Sequence, residues 1–386
     1  MARFLGAMAT SEPNPLPLDS PESRRYNAIR RRLGIADFAV GFALLAILLA
    51  TGWTNSLRDL ARSAAGESYV IALFFYVLML AVLAKVLGFG FDLYGFRLEH
   101  QYHLSNQKFR SWLWDETKGW LIGFIFGLLA AEFVYWMMQL FPQKWWLISW
   151  AVFVLVFVLI AQLAPVLLMP LFFKFKPLEN DSLKQRLVRL GERAGAHVRG
   201  VYEWKLSEKS KKANAALTGL GRTRRIILAD TLLENYTEDE IEAVLAHELG
   251  HHVHRHIAKS ILVQAAITFV GFWLAARVLH YAVKQLNWFP FISDFANLPL
   301  LALLSTVISL LLLAPLNAWS RHNERQADRY AFKSIPTVAP FISAMDKLAQ
   351  QNLSERNPAA WVEFFFHSHP AISKRIAAAQ RWASAG

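Results

Sequence analysis

The sequence of 386 residues contains no cysteine. Disulfide bonds and zinc sites built from thiolates are therefore excluded, and any metal ion must be held by histidine and carboxylate side chains. Charged residues are also scarce, at 18% of the chain, whereas hydrophobic residues make up 55% and aromatic residues 13%. This composition argues against a soluble protein of several domains and indicates a membrane protein.

The long apolar stretches predict the architecture. The apolar run at residues 4–8 is too short for the core of a signal peptide, and residues 1–36 are predicted to form a polar tail. Six later stretches are apolar enough to cross a bilayer or nearly so: about 37–53, 69–89, 119–141, 146–173, 257–283 and 300–319. We therefore expect a mainly α-helical integral membrane protein with about six transmembrane helices, with seven as the alternative.

The distribution of lysine and arginine predicts the orientation of these spans. The N-terminal tail, the loop 90–118 and the segments 174–256 and 320–386 together carry 34 of them, and the opposite loops carry 4. The basic segments, including both termini, are therefore expected on the cytoplasmic side. Topology and anionic lipids account for the net charge of +12, so no nucleic-acid partner is expected.

Residues 174–256 read as a small α+β part. A helical pattern covers residues 180–195, and strands are predicted at 198–204, 215–220 and 226–230. Within the spans, Glu132 and Gln162 are costly to bury, and two interpretations remain open. They line a polar cavity, or they are satisfied by a neighbouring helix.

The segment HELGH at residues 247–251 carries the clearest chemical signal. His247 and His251 are four residues apart, so on a helix both rings can bind one metal ion, and Glu248 lies beside it as a general base. Thr237 and Glu240 form a capping box that starts this helix. The three histidines that follow, at positions 252, 254 and 256, are expected at the membrane surface instead.

A third metal ligand is expected immediately after the sixth span. Glu324 and Asp328 share one helical face, so Glu324 can bind the metal while Asp328 supports a ligating histidine from behind. In isolation two solvated carboxylates would be the simpler interpretation, but an HExxH helix without another third ligand favours the metal. Since both ligand segments adjoin spans, their helices are expected to continue those spans. His369, followed by Pro370, is a weaker candidate donor to an oxyanion.

Several stretches together resemble the type I CaaX prenyl proteases, which are multispan membrane zinc metalloproteases. The match covers most of the chain from about residue 37. It departs from the family in two ways: six spans are counted where eukaryotic members have seven, and the tail has no counterpart. The matching stretches are LAHELGHH (245–252), NERQADRYA (323–331), the strand pair 211–233, SHPAISKRI (368–376), and residues 99–119 and 170–179.

The resemblance implies a chamber enclosed by the spans and one Zn²⁺ per chain. It implies a role for eight residues: His247, His251 and Glu324 as zinc ligands, Glu248 as general base, Asp328 as the support of a ligand, His369 as transition-state donor, and Asn214 and Ala215 on an edge strand that pairs with substrate. Arg375 lies where the family keeps an arginine near the site and is assigned to substrate binding.

The expected activity is hydrolysis of peptide bonds in lipid-anchored, CaaX prenyl-type, or membrane-associated polypeptides. The alternative is a membrane-protein quality-control protease with no prenyl requirement, and a non-enzymatic scaffold or transporter is disfavoured because the metal set is complete. The expected location is the bacterial inner membrane, or the endoplasmic reticulum membrane of a eukaryote. The expected divisions are a tail (1–36), four spans (37–173), a metallopeptidase part (174–256), two spans (257–319) and a C-terminal catalytic part (320–386).

Overall fold

A computed structural model describes residues 19–219 and 224–385 of the protein. Within these ranges the chain forms thirteen α-helices and four β-strands. The helices are α1 (Pro21–Ala50), α2 (Trp53–Ala65), α3 (Tyr69–Gln101), α4 (Phe109–Leu140), α5 (Trp145–Leu167), α6 (Asp181–Arg193), α7 (Asp230–Asn235), α8 (Glu238–Val253), α9 (His256–Lys284), α10 (Leu298–Ser334), α11 (Ala339–Gln351), α12 (Ala360–Phe366) and α13 (Ile372–Ala385). The strands are β1 (Phe175–Pro177), β2 (Val198–Trp204), β3 (Ala215–Thr218) and β4 (Arg224–Ala229).

Six helices of the described chain are long and apolar enough to cross a membrane: α1, α3, α4, α5, α9 and α10. The prediction of a mainly helical protein with six spans is confirmed. These helices surround a cavity of about 630 Å³ whose lining is mostly apolar. Glu132 has a buried Oε1 without a hydrogen-bond partner in the described structure, whereas Gln162 is exposed. The two do not form a buried pair.

The first span starts earlier than predicted. Ser20 caps α1 by accepting a hydrogen bond from the backbone N–H of Ser23, and Pro21 occupies the first helical position. The buried Tyr26 then packs against Tyr102 of the segment after α3. Residues 21–36 are therefore part of the first span's helix rather than of a polar tail. Residues 1–18 of the predicted tail lie outside the described ranges.

The small sheet has the strand order β1-β2-β4-β3, with β2 parallel to β4 and with both outer strands antiparallel to their neighbours. The three predicted strands are present, although Leu220, the predicted end of one, lies outside the described residues. The three-residue strand β1 was not predicted. Since β3 lies at an edge of the sheet, one side of its backbone has no strand partner among the described residues.

The helix α8 packs between this sheet and α10. Thr237 and Glu240 exchange the two hydrogen bonds of a capping box at its start, as the sequence predicts. Near its end, Gly250 allows close contact, because a Cβ atom there would lie 2.7 Å from the Cα of Ala327 on α10. The carboxylate-bearing and histidine-bearing helices are thus held together by backbone contact.

The two helices are connected to the membrane differently. The sixth span continues without interruption through α10, as expected. By contrast α8 ends at Val253, and Arg255 adopts a left-handed conformation (φ 54°) before α9 begins at His256. The expectation that both helices continue spans is correct for α10 and wrong for α8, because the αL residue breaks the run of backbone hydrogen bonds.

Candidate metal centre and active site

Three side chains from α8 and α10 converge on one point. His247 Nε2 lies 3.2 Å from His251 Nε2 and 3.2 Å from Glu324 Oε2. His251 Nε2 lies 3.3 Å from the other carboxylate oxygen of Glu324. His247 and Glu324 are buried and His251 is half-buried, so these polar atoms face one another in a partly dehydrated site.

The arrangement fits a metal ion. Tetrahedral zinc, with bonds of about 2.0–2.1 Å to nitrogen and oxygen, separates its ligand atoms by about 3.3 Å, close to the spacings in the cluster. In addition, Glu324 Oε2 is buried and makes no hydrogen bond of good geometry among the described residues, although His247 Nε2 lies 3.2 Å away. A buried carboxylate oxygen left without a donor is costly, and a cation would satisfy it. His247, His251 and Glu324 could therefore hold a metal ion.

His247 is supported from behind by a buried ion pair. Its Nδ1 lies 2.8 Å from Asp328 Oδ1, and Asp328 also binds the guanidinium of Arg375 through contacts of 2.9 and 2.6 Å. Donation from Nδ1 to the carboxylate fixes the ring and leaves Nε2 free to bind a metal. Burial and Arg375 lower the pKa of His247, but the neighbouring carboxylates of Asp328 and Glu324 outweigh them and raise it to about 9.

His251 is supported by a chain of neutral groups. Its Nδ1 lies 2.9 Å from His256 Nδ1, and His256 Nε2 lies 2.9 Å from Gln326 Oε1 on α10. The expectation that His256 lies at the membrane surface is wrong, because this ring is only 4% exposed. The break at Arg255 turns it back toward the site. Sequence analysis missed Gln326, although it lies two residues after Glu324.

Glu248 and His369 flank the cluster. Glu248 follows the first ligand on α8, and burial raises the pKa of its carboxyl group. His369 reaches the site from the segment before α13, and its Nε2 lies 3.4 Å from Glu324 Oε1. The side chain of His369 is 60% exposed, so it faces the open side of the site. Pro370 lies two residues before the start of α13.

The remaining predicted residues lie near the cluster in two different ways. Arg375 approaches His247 Nδ1 to 3.2 Å but is engaged with Asp328, which does not favour the predicted contact with substrate. Asn214 precedes the edge strand and Ala215 begins it, and this strand packs against α8. The backbone carbonyl of Asn214 accepts a hydrogen bond from Ala229 on β4.

Comparison with protein families identifies both halves of the chain. Residues 177–383 match the model of peptidase family M48. The chain belongs to this family. Residues 19–174 match the CAAX prenyl protease N-terminal domain, described as five membrane helices. In this structure that region contains α1 to α5, of which α2 is a short helix of 13 residues.

Individual relatives agree with this assignment. The chain is 27% identical over 368 residues to the "uncharacterized metalloprotease YhfN" of Bacillus subtilis, with 95% of this chain and 86% of that protein covered. It is 29% identical over 304 residues to CAAX prenyl protease 1 of Saccharomyces cerevisiae, covering 73% of this chain and 66% of that protein. The crystal structure of S. mikatae Ste24p has the same fold, with a TM-score of 0.82 at 24% identity, over 92% of this chain and 88% of that one.

Family membership and the six spans together define the class of protein. It is a membrane metalloprotease, as the sequence predicts. Proteases of this family imply peptide or protein substrates, and the membrane helices imply that substrate meets the enzyme at a bilayer.

Proposed function

We propose that the protein is a zinc metalloendopeptidase that cleaves lipid-anchored or membrane-associated polypeptides at the cytoplasmic boundary of the membrane. The observation that carries this proposal is the cluster of His247, His251 and Glu324, with Glu324 on the helix that continues the sixth span. One zinc ion per chain is proposed, held by these three residues. Zinc supplies Lewis acidity toward the scissile carbonyl and lowers the pKa of water to about 7.

Glu248 is the proposed general base. It removes a proton from the attacking water and then delivers that proton to the leaving amine. Burial raises the pKa of its carboxyl group, which brings its basicity closer to the neutral range. The position next to His247 on α8 supports this role, since the carboxylate and the ligand rings share the buried end of one helix.

His369 is the proposed hydrogen-bond donor to the oxyanion of the tetrahedral intermediate. Its exposed ring at the open side of the cluster supports this role, because a donor there can reach a bound peptide. The loss of such a donor typically lowers turnover by about 10²–10³. Asp328 and Arg375 are proposed to position His247 rather than to contact substrate.

The substrate is proposed to bind as an extended strand. Within the described parts of the chain the edge strand β3 has an unpaired side, and Asn214 and Ala215 lie at its start next to α8. Main-chain hydrogen bonds to an edge strand hold a peptide without requiring a particular sequence. This mode suits both a prenylated CaaX peptide and an unfolded segment of a membrane protein.

The orientation and location are proposals as well. Both termini and the sheet are placed on the cytoplasmic side because lysine and arginine concentrate in those segments. The bacterial inner membrane is the proposed location, supported by the similarity to the Bacillus subtilis protein over 95% of the chain. The endoplasmic reticulum membrane is the corresponding location if the source is eukaryotic.

The test of the chemistry is the variant Glu248→Gln. Its amide cannot accept the proton, so we expect zinc content to stay at one ion per chain while peptide cleavage falls by at least about 10²–10⁴. Elemental analysis and a fluorogenic peptide assay measure the two quantities. Glu234→Gln, at an exposed position of α7, makes the same charge change and should keep full activity. Full activity of Glu248→Gln would contradict the assignment.

The test of the substrate class compares three substrates in one preparation. A farnesylated CaaX peptide, the same peptide without the lipid and a misfolded membrane protein are offered to the reconstituted enzyme. Preference for the farnesylated peptide supports a prenyl protease, a role that the name of the Saccharomyces cerevisiae relative suggests. Equal cleavage of both peptides together with cleavage of the misfolded protein supports the quality-control alternative.

A further inference from the structure

A second pocket lies beside the active site and is unusually basic. It has a volume of about 560 Å³ and opens between α10, α12 and α13. Two carboxylates, Asp328 and Glu363, lie in its wall. Six cationic side chains surround it: Arg321, Arg325, Arg329, Lys374, Arg375 and Arg381. The pocket therefore carries a clear excess of positive charge.

Half of these cations have partners within the fold. Arg321 is buried and donates to the backbone carbonyls of Glu363 and His367 at 2.8 and 2.6 Å. Lys374 pairs with Glu363 at 2.5 Å, and Arg375 pairs with Asp328. These three side chains bind groups within the protein, so their charges are already compensated or hydrogen-bonded.

The other three cations are available to a ligand. Arg325, Arg329 and Arg381 are exposed, and none lies within 4.0 Å of a carboxylate in the described parts of the chain. Arg325 and Arg329 are four residues apart on α10, where two like charges repel each other on one helical face. A bound anion would remove this repulsion, and arginine is well suited to bind phosphate oxygens.

The predicted end of the sixth span, at residue 319, places the pocket close to the expected membrane–water boundary. Asn317, inside the predicted span, donates to the backbone carbonyl of Phe365 at 2.6 Å, which fixes α12 beside the end of that span. Along α10, Arg325 and Arg329 lie about 6 and 12 Å beyond Arg321. The polar headgroup layer on each side of a bilayer is about 5–8 Å thick, so these arginines reach into and just past it.

The helix α12 adds an apolar surface at the same level. Four of its seven residues are exposed aromatics, with Trp361 60% and Phe364 48% exposed, followed by Phe365 and Phe366. Phe364 also lines the basic pocket, so the aromatic surface and the cations are contiguous. Aromatic side chains next to basic ones are typical of protein surfaces at the membrane–water interface.

We propose that this pocket binds an anionic phospholipid of the cytoplasmic leaflet. Arg325, Arg329 and Arg381 contact its phosphate, and its acyl chains lie against the aromatic side chains of α12. The charge, the depth and the adjoining apolar surface together match a lipid, whereas a free phosphate would use only the charge. Since α12 leads directly to His369, a lipid bound here also restrains the segment that carries this histidine.

The experiment is native mass spectrometry of the full chain in detergent with phosphatidylglycerol and phosphatidylcholine of identical acyl chains. Wild type should retain phosphatidylglycerol in preference to phosphatidylcholine. The double variant Arg325→Gln/Arg329→Gln should bind phosphatidylglycerol about thirty-fold more weakly, given the contribution of two basic side chains near anionic lipid. Arg381→Gln alone should weaken it about five-fold. Zinc content verifies that each variant is folded.

The matched control is Arg189→Gln/Arg199→Gln, which removes two exposed charges from the part of the chain that carries the sheet. It should bind lipid as wild type does. Equal retention of both lipids by wild type, or equal effects of the two double variants, would overturn the proposal. Displacement of the lipid by millimolar inorganic phosphate would assign the pocket to free phosphate instead. The variant Arg325→Gln/Arg329→Gln could instead raise KM for peptides with a free C-terminal carboxylate, but not for amidated peptides, and leave lipid binding unchanged. That result would assign the pocket to substrate binding.

Discussion

His247 and His251 lie one turn apart on the same helix, yet the Nδ1 atoms of their rings have different kinds of partner. Behind His247 is a buried carboxylate paired with Arg375 of α13, and behind His251 is a chain from His256 to the amide of Gln326. Both arrangements give Nδ1 an acceptor and leave Nε2 for a metal. The difference is that the first contains buried charges that depend on each other, and the second contains none. Equal ligand geometry can therefore have unequal energetic consequences.

The largest loss of zinc binding is expected at Glu324, which contacts both histidine ligands. Glu324 contacts both rings, so Glu324→Ala removes the third ligand and leaves two histidines alone. Loss of a residue behind a ligand already costs about 10–100-fold in metal affinity, and the loss of a ligand should exceed 100-fold. Elemental analysis after dialysis should find no zinc and the peptide assay no cleavage. Retention of one zinc per chain would contradict the ligand assignment.

Substitution of the charged groups behind His247 should have a larger effect than substitution of the neutral groups behind His251. Asp328→Asn leaves Arg375 buried without a counter-charge, which should destabilise the fold by about 3–5 kcal/mol. Zinc affinity should fall by about 10–100-fold. Thermal unfolding and chelator competition measure these effects. The double variant Asp328→Asn/Arg375→Met should be more stable than the single one, since the orphan charge is gone. If it is equally unstable or worse, the ion pair is not the cause.

Gly250→Ala disturbs the contact between α8 and α10, which positions both histidine ligands relative to Glu324. The new Cβ atom would lie 2.7 Å from the Cα and 2.9 Å from the carbonyl oxygen of Ala327, so α8 and α10 must separate. We expect a loss of about 1–3 kcal/mol in unfolding free energy and weaker zinc binding. Gly271→Ala on α9 is the control, since nothing lies within 4 Å of the added atom. Equal stability of the two variants would show that the close contact is unimportant.

The smallest effect is expected on the neutral side. Gln326→Ala removes the last acceptor of the chain behind His251 and leaves His256 in place. Water can replace a neutral amide, so zinc affinity should fall by only about ten-fold, the lower end of the range for such partners. Chelator competition under the conditions used for Asp328→Asn gives the ratio directly. An effect equal to or greater than that of Asp328→Asn would reverse the comparison.

Sequence analysis predicted those features that depend on local spacing. The capping box, the pair His247 and His251, and the pair Glu324 and Asp328 are all encoded within a few residues, and the spans are encoded by composition. The support of His251 could not be predicted in the same way. It requires a left-handed Arg255, where no glycine or proline marks the break, and a contact between residues 70 positions apart.

The start of the first span shows the opposite case, in which the sequence contains a local capping signal but the polar composition of the segment points away from a helix. Ser20, Pro21 and the acidic Glu22 form a normal helix start. The arginines that follow give the segment the composition of a polar tail, so its composition and its capping signal point to different structures. The packing of Tyr26 against the end of α3 and the hydrogen bonds of Ser23 and Asn27 to the backbone carbonyl of Leu353 show why this polar turn is ordered.

The left-handed residue between α8 and α9 also has a mechanical consequence. A bilayer that thickens or thins changes the tilt of the spans it surrounds. Arg255 interrupts the helix between the histidines and the fifth span, so a change in the tilt of that span reaches the two imidazoles only indirectly. The carboxylate at position 324 lies on the same helix as the sixth span and moves with it. The spacing between the two halves of the metal centre is therefore kept by the contact of Gly250 with Ala327, which joins α8 directly to α10.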